Sequence, residues 1–338
     1  MKSNESAMRS ASKAQWLGIG FSFGFTLLIW LLGSRLDQIQ LLPDTGPAWY
    51  YWRLPQPNFL SRLSAWGLYA LHQLTIWGLL YYAQTRVGRY SKKLQSFHYW
   101  TMGANALFVV LHLVQTHLLY DGLAQDVAVW SSQGSVILLL VVVLLMENSR
   151  RGLFWGKKVP ISRAIVDVAK RYHGYIFSWA IIYTFWFHPM VATSGHLIGF
   201  FYMFLLMLQG SLFYTPAHLN RTWTTILEGL VLVHGTLVAV MNANGLWPMF
   251  FFGFLGIFVI TQMHGLKLSR LARWIILTGY IGAALLIYST NGITSIHQIT
   301  WIPIIEYLAV FLVAALIWLG IKLFGKPIAP VSRQASGS

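Results

Sequence analysis

Eleven histidines and no cysteine stand among the 338 residues of the chain. Without cysteine there is no disulfide, no thiolate nucleophile, no cysteine-ligated iron–sulfur cluster and no covalently attached c-type haem. Imidazole is left as the main group able to bind a metal or carry a proton. Two spacings give it a geometry: His98 and His112 are 14 residues apart, and His173 and His188 are 15 apart. At about 100° and ~1.5 Å per helical residue, each pair returns to within roughly 60° of one face with its members about 21 Å apart along the axis. If the two helices run in the same direction, His98 comes level with His173, and His112 with His188. Each level could then offer two axial imidazoles to a b-type haem, giving two haems stacked across a bilayer.

Other chemistry competes for the same residues. His112, His117, His188 and His196 fall at one depth and could form a metal site without haem, since neutral imidazole suits Zn, Cu and Fe. A diiron oxygenase is disfavoured, because there is no clustered H-x-x-H and no carboxylate ladder. Glu228 reads as the one carboxylate clearly within a helix. With His234 above it, Glu228 could start a proton relay or support a quinone site, although six residues of separation put the two on different faces. A Glu228 contact with Arg221 or the interface is the plainer reading. An intramembrane histidine can also simply hydrogen-bond a neighbouring helix.

The elements that must position these side chains are membrane spans. Hydrophobic residues make up 56% of the chain and charged ones 10%, against about a quarter charged in soluble domains. Apolar runs close to the roughly 20 residues that cross a ~30 Å hydrocarbon core recur along the whole length. They predict ten helices, over 14–33, 59–84, 98–119, 127–146, 172–188, 195–215, 223–242, 247–264, 271–289 and 304–324. The expected class is therefore all-α, a polytopic integral membrane helical bundle. Residues 1–13 and 325–338 form cytoplasmic tails around a single transmembrane domain over 14–324.

With both ends in the cytoplasm, all but Arg35, Arg53 and Arg62 of the 24 Lys and Arg residues lie inside, as the positive-inside rule requires. That distribution, rather than nucleic-acid binding, accounts for the net charge of +15. It places the chain as a multi-pass protein of a bacterial inner (cytoplasmic) membrane, with the lipid bilayer as its first partner. Trp49 to Trp52 read as an interfacial anchor on the outer side. The basic stretch 147–171 is expected to form a short amphipathic helix on the inner surface. Gly18, Gly20, Gly24, Gly199 and Gly210 are expected where helices approach closely.

In histidine spacing and topology, residues 98 to 188 resemble the transmembrane cytochromes of the ferric reductase and NADPH oxidase type. Those families place two histidines on each of two parallel helices and pass electrons across the membrane. The resemblance implies that His98 and His173 hold an inner haem b, and His112 and His188 an outer one. The chain has no G-x-G-x-x-G strand and no soluble stretch for a nucleotide, so electrons would come from a quinone pool or a separate redox protein. The spacing in the second helix is one residue longer than that pattern, and His188 precedes Pro189, which disfavours helical geometry there. Ten spans also exceed six. Two alternatives stand beside the electron carrier: a transporter or lipid-handling protein with a His- and Glu-lined polar cavity, and a structural or assembly subunit of a membrane complex.

Overall fold

A computed structural model describes residues 2–43, 53–56, 58–87, 90, 93–241 and 245–325, with side chains from residue 10 onward. Among these residues there is a helix for each predicted span: α1 (Lys2–Leu32), α2 (Phe59–Tyr82), α3 (Ser96–Leu119), α4 (Val129–Arg151), α5 (Arg163–Phe187), α6 (Ser194–Ser211), α7 (Arg221–Met241), α8 (Trp247–Ile260), α9 (Arg270–Asn291) and α10 (Trp301–Phe324). The all-α class follows from unbroken apolar runs that leave backbone groups no partner but their own helix. Seven helices are long and apolar enough to cross a membrane; α2, α5 and α6 fall outside that set. The first of these buries Ser61, His72 and Gln73, and α5 opens with Arg163, Asp167, Lys170 and Arg171.

Local chemistry sets the boundaries. The Asn58 side chain accepts from the Ser61 N–H at the start of α2, and Thr193 and Ser269 cap α6 and α9 in the same way. Pro189 ends α5 at Phe187, leaving His188 just outside the helix. Three expectations change. The first helix begins at Lys2, inside the expected tail. No separate surface helix forms over 147–171: α4 runs to Arg151, a turn with positive φ at Gly152, Trp155 and Gly156 follows, and the basic residues beyond it open α5. The anchor Trp49 to Trp52 and most of the tail 325–338 lie outside the described residues.

The chain divides into two compact units: Met1–Val136 with Gly174–Leu227, and Ile137–His173 with Glu228–Ser338. In the first unit α1 packs antiparallel on α6. A Cβ at Gly18 would stand 2.4 Å from Leu208 Cδ1, and Phe25 meets Phe204 edge-on at 5.7 Å. Gly18 is thus a close-approach glycine, whereas Gly20, Gly24 and Gly210 face open space. In the second unit Leu144, Leu145, Leu153, Ile257 and Val310 form the centre of the core.

Candidate functional site

The buried side chains of the first unit form a directional hydrogen-bond chain. Trp186 Nε1–H donates to His72 Nδ1 at 3.2 Å. Indole nitrogen can only donate, so the proton of a neutral His72 sits on Nε2, which faces Asn105 Oδ1 at 2.9 Å. Asn105 Nδ2 donates to Ser211 Oγ at 3.0 Å, and Ser211 donates to the Met207 carbonyl. A second proton on His72 would face the indole N–H. His72 is a neutral imidazole that ties α2, α3, α5 and α6 together.

His98 is also satisfied. The Gln95 N–H donates to its Nδ1 at 2.8 Å, and its Nε2 donates to the Phe213 carbonyl at 2.8 Å. The ring closes the N-terminus of α3 and fastens it to the chain beyond α6. His218 does similar work through Gln209, whose carbonyl lies 2.8 Å from Nδ1. His117 has one ring nitrogen 2.9 Å from the Leu113 carbonyl and the other 3.4 Å from that of Leu32.

His112 differs from all of these. It is 0% exposed, and neither ring nitrogen has a hydrogen-bond partner. Trp186 stacks on its face with centroids 4.3 Å apart and 25° between planes, and Phe185 meets it edge-on at 4.6 Å. The Phe200 ring lies 6.1 Å from that of His112 and 6.3 Å from that of His196. His188 in turn meets the His196 ring at 5.5 Å, while its Nδ1 donates to the Thr184 carbonyl at 2.9 Å. His196 Nδ1 lies 2.7 Å from Thr193 Oγ1.

The expected outer level therefore gathers His112, His188 and His196 within one unit. The four-histidine metal centre is not assembled: among the described residues no three His, Asp or Glu side chains come together to hold a metal. His117 is turned to the carbonyls of Leu113 and Leu32, and His196 is engaged by the cap of its own helix. Of the expected inner pair, His98 belongs to the first unit and His173 to the second, where His173 Nδ1 donates to the Lys170 carbonyl at 2.7 Å.

In the second unit Glu228 pairs with Arg151 of α4, not with Arg221. Nη1 lies 2.8 Å from Oε2, with both side chains buried. A cavity of about 30 Å3 bounded by Glu228 and Gln262 has room for one water. Glu228 is not the one carboxylate inside a helix. Glu306 is 2% exposed in α10, with Oε2 lacking a partner. Its signal was its place inside the predicted span 304–324. Asn105 and Trp186, the partners of His72, carried no sequence signal. No family model, curated protein or solved structure matches the chain.

Proposed function

We propose that the chain is a ten-span membrane protein with both ends in the cytoplasm, whose first unit carries electrons through a b-type haem held by His112 and His188. One observation carries this: His112 is wholly buried, with both nitrogens unpartnered. Such a group costs about 1–3 kcal/mol and matches a ligand side chain without its ligand. The nitrogen lone pair lies in the ring plane. Trp186, stacked on the ring face at 4.3 Å, fixes that plane.

Bound haem would supply one-electron transfer through its iron. His188, released from α5 by Pro189, would provide the second imidazole, and its Nδ1–H bond to the Thr184 carbonyl would leave Nε2 as the nitrogen that could hold the group. Phe185, Phe200 and Trp186 supply an apolar wall, and their packing must open to admit a porphyrin. The proposal concerns the outer level alone, because both nitrogens of His98 are spent on Gln95 and Phe213. Electrons would be delivered by quinol or a separate redox protein.

The test is haem per polypeptide in protein purified from haem-supplied cells, read from reduced-minus-oxidised spectra. About one haem is expected in wild type, lost in His112→Ala and in His188→Ala, and kept in His98→Ala. A wild type without haem overturns the proposal. A second reading, a proton-coupled transporter, is favoured by three imidazoles, His112, His188 and His196, leading from the buried centre to the start of α6. It predicts no chromophore, and a proton flux in liposomes that His112→Ala abolishes.

A further inference from the structure

On the outward face of the α2–α3 pair runs an open groove of about 660 Å3, in the size range of ligand sites. Leu74 and Gly78 line one side, Gly103 and Leu107 the other, and Tyr99 and Trp100 stand at one end. Both glycines face open space: a Cβ added at either would meet nothing within 4 Å, so a larger side chain there would enter the groove. Of its two hydroxyls, that of Thr75 is already bonded to the Leu71 carbonyl at 2.7 Å, and the other belongs to Tyr99 at the end of the groove. An apolar chain is what such a surface accepts.

The ends of the groove differ in charge. Tyr99 and Trp100 are 57% and 68% exposed in the first turns of α3, where aromatic side chains mark the headgroup level of a span. Of the described residues at that same end, Arg86 follows α2 and Lys93 precedes α3, and the sequence 83–95 holds no acidic residue. An apolar slot, then aromatic rings, then basic residues match in order the acyl chain, interface and phosphate of an anionic lipid. We propose that the groove holds one acyl chain of an anionic phospholipid, with the phosphate met by Arg86 and Lys93. The site is independent of the haem proposal and of its histidines.

Native mass spectrometry of the full chain, released from detergent with phosphatidylglycerol or phosphatidylcholine, tests it. Wild type is expected to retain one phosphatidylglycerol and to prefer it at least several-fold over phosphatidylcholine. Gly78→Leu/Gly103→Leu should lose that lipid while unfolding no earlier on heating, since the new side chains enter open space. Arg86→Gln/Lys93→Gln should keep a bound lipid but lose the preference. Equal retention of the two lipids by wild type, or full retention by the leucine variant, overturns the proposal. So does a wild-type dimer that the leucine variant breaks, which would assign the groove to a second copy of the chain.

Discussion

His72 and His112 are both buried imidazoles in one helix bundle, yet their surroundings give them opposite work. His72→Leu leaves the Asn105 carbonyl and the Trp186 N–H unpaired, each at about 1–3 kcal/mol. The expected outcome is a lower thermal midpoint in detergent with haem content unchanged. His112→Leu removes two unmet nitrogens from an aromatic box, so the haem-free protein should unfold no earlier than wild type. An early-unfolding His112→Leu would count against its being an unpartnered ligand. Asp121, in the connection after α3, offers a pH test. Burial raises its carboxyl above the usual aspartate value, against the bond from the Gly122 N–H and the nearby Ser61 and Arg62. A raised folded pKa means the folded state favours the protonated acid, so this group costs stability as pH rises from the aspartate value of about 4 through the folded value. Asp121→Asn, which keeps an acceptor for Gly122, should raise the midpoint at pH 7 and leave it nearly unchanged at pH 3. The sequence could place these residues on helices but could not rank them. The ring nitrogens of His98 and His72 are settled by Phe213 and Trp186, each more than a hundred positions away.

At the scale of elements, the apolar runs anticipated a helix in each expected place, and seven of these helices have the length and composition that a bilayer imposes. What they could not reveal was which polar residues inside a run face a partner. The end of α4 is the clearest case: Arg150 and Arg151 read as residues that stop transfer, but the second is buried and pairs with Glu228 across 77 positions. Breaking a buried pair by removing one partner costs about 3–5 kcal/mol, whereas removing both charges is often close to neutral. Arg151→Gln should therefore lower the unfolding midpoint sharply, and Arg151→Gln/Glu228→Gln should recover most of the loss. If the double variant is as unstable as the single one, the pair contributes shape rather than charge balance. Unchanged turnover in Glu228→Gln would remove that carboxylate from any proton step.

For the whole molecule the open quantity is the path of the chain across the bilayer, and α8 is the shortest helix on it. Its 14 residues span only about 21 Å, short of a ~30 Å core, so α8 could dip into the membrane and return. Packing within the second unit argues otherwise. Gly253 faces Ile302, Gly256 faces Pro303, and Thr261 bonds Tyr307 at 2.7 Å. The numbers rise together, so α8 and α10 run parallel. Were α8 re-entrant, α9 would be the next crossing and α10 would run antiparallel to α8. The 3-10 turn Gln262–Gly265 extends the apolar segment to 19 residues, close to the length of a span. In the first unit α1 and α6 are antiparallel, the relation that the proposed order of ten spans requires of them. Reporter fusions at Lys157 and Lys267 should then both report cytoplasm, and fusions at Asp121 and His297 the outside, in line with the basic residues. A Lys267 fusion on the side opposite Lys157 would show that α8 does not cross, and would leave nine spans with the C-terminus outside.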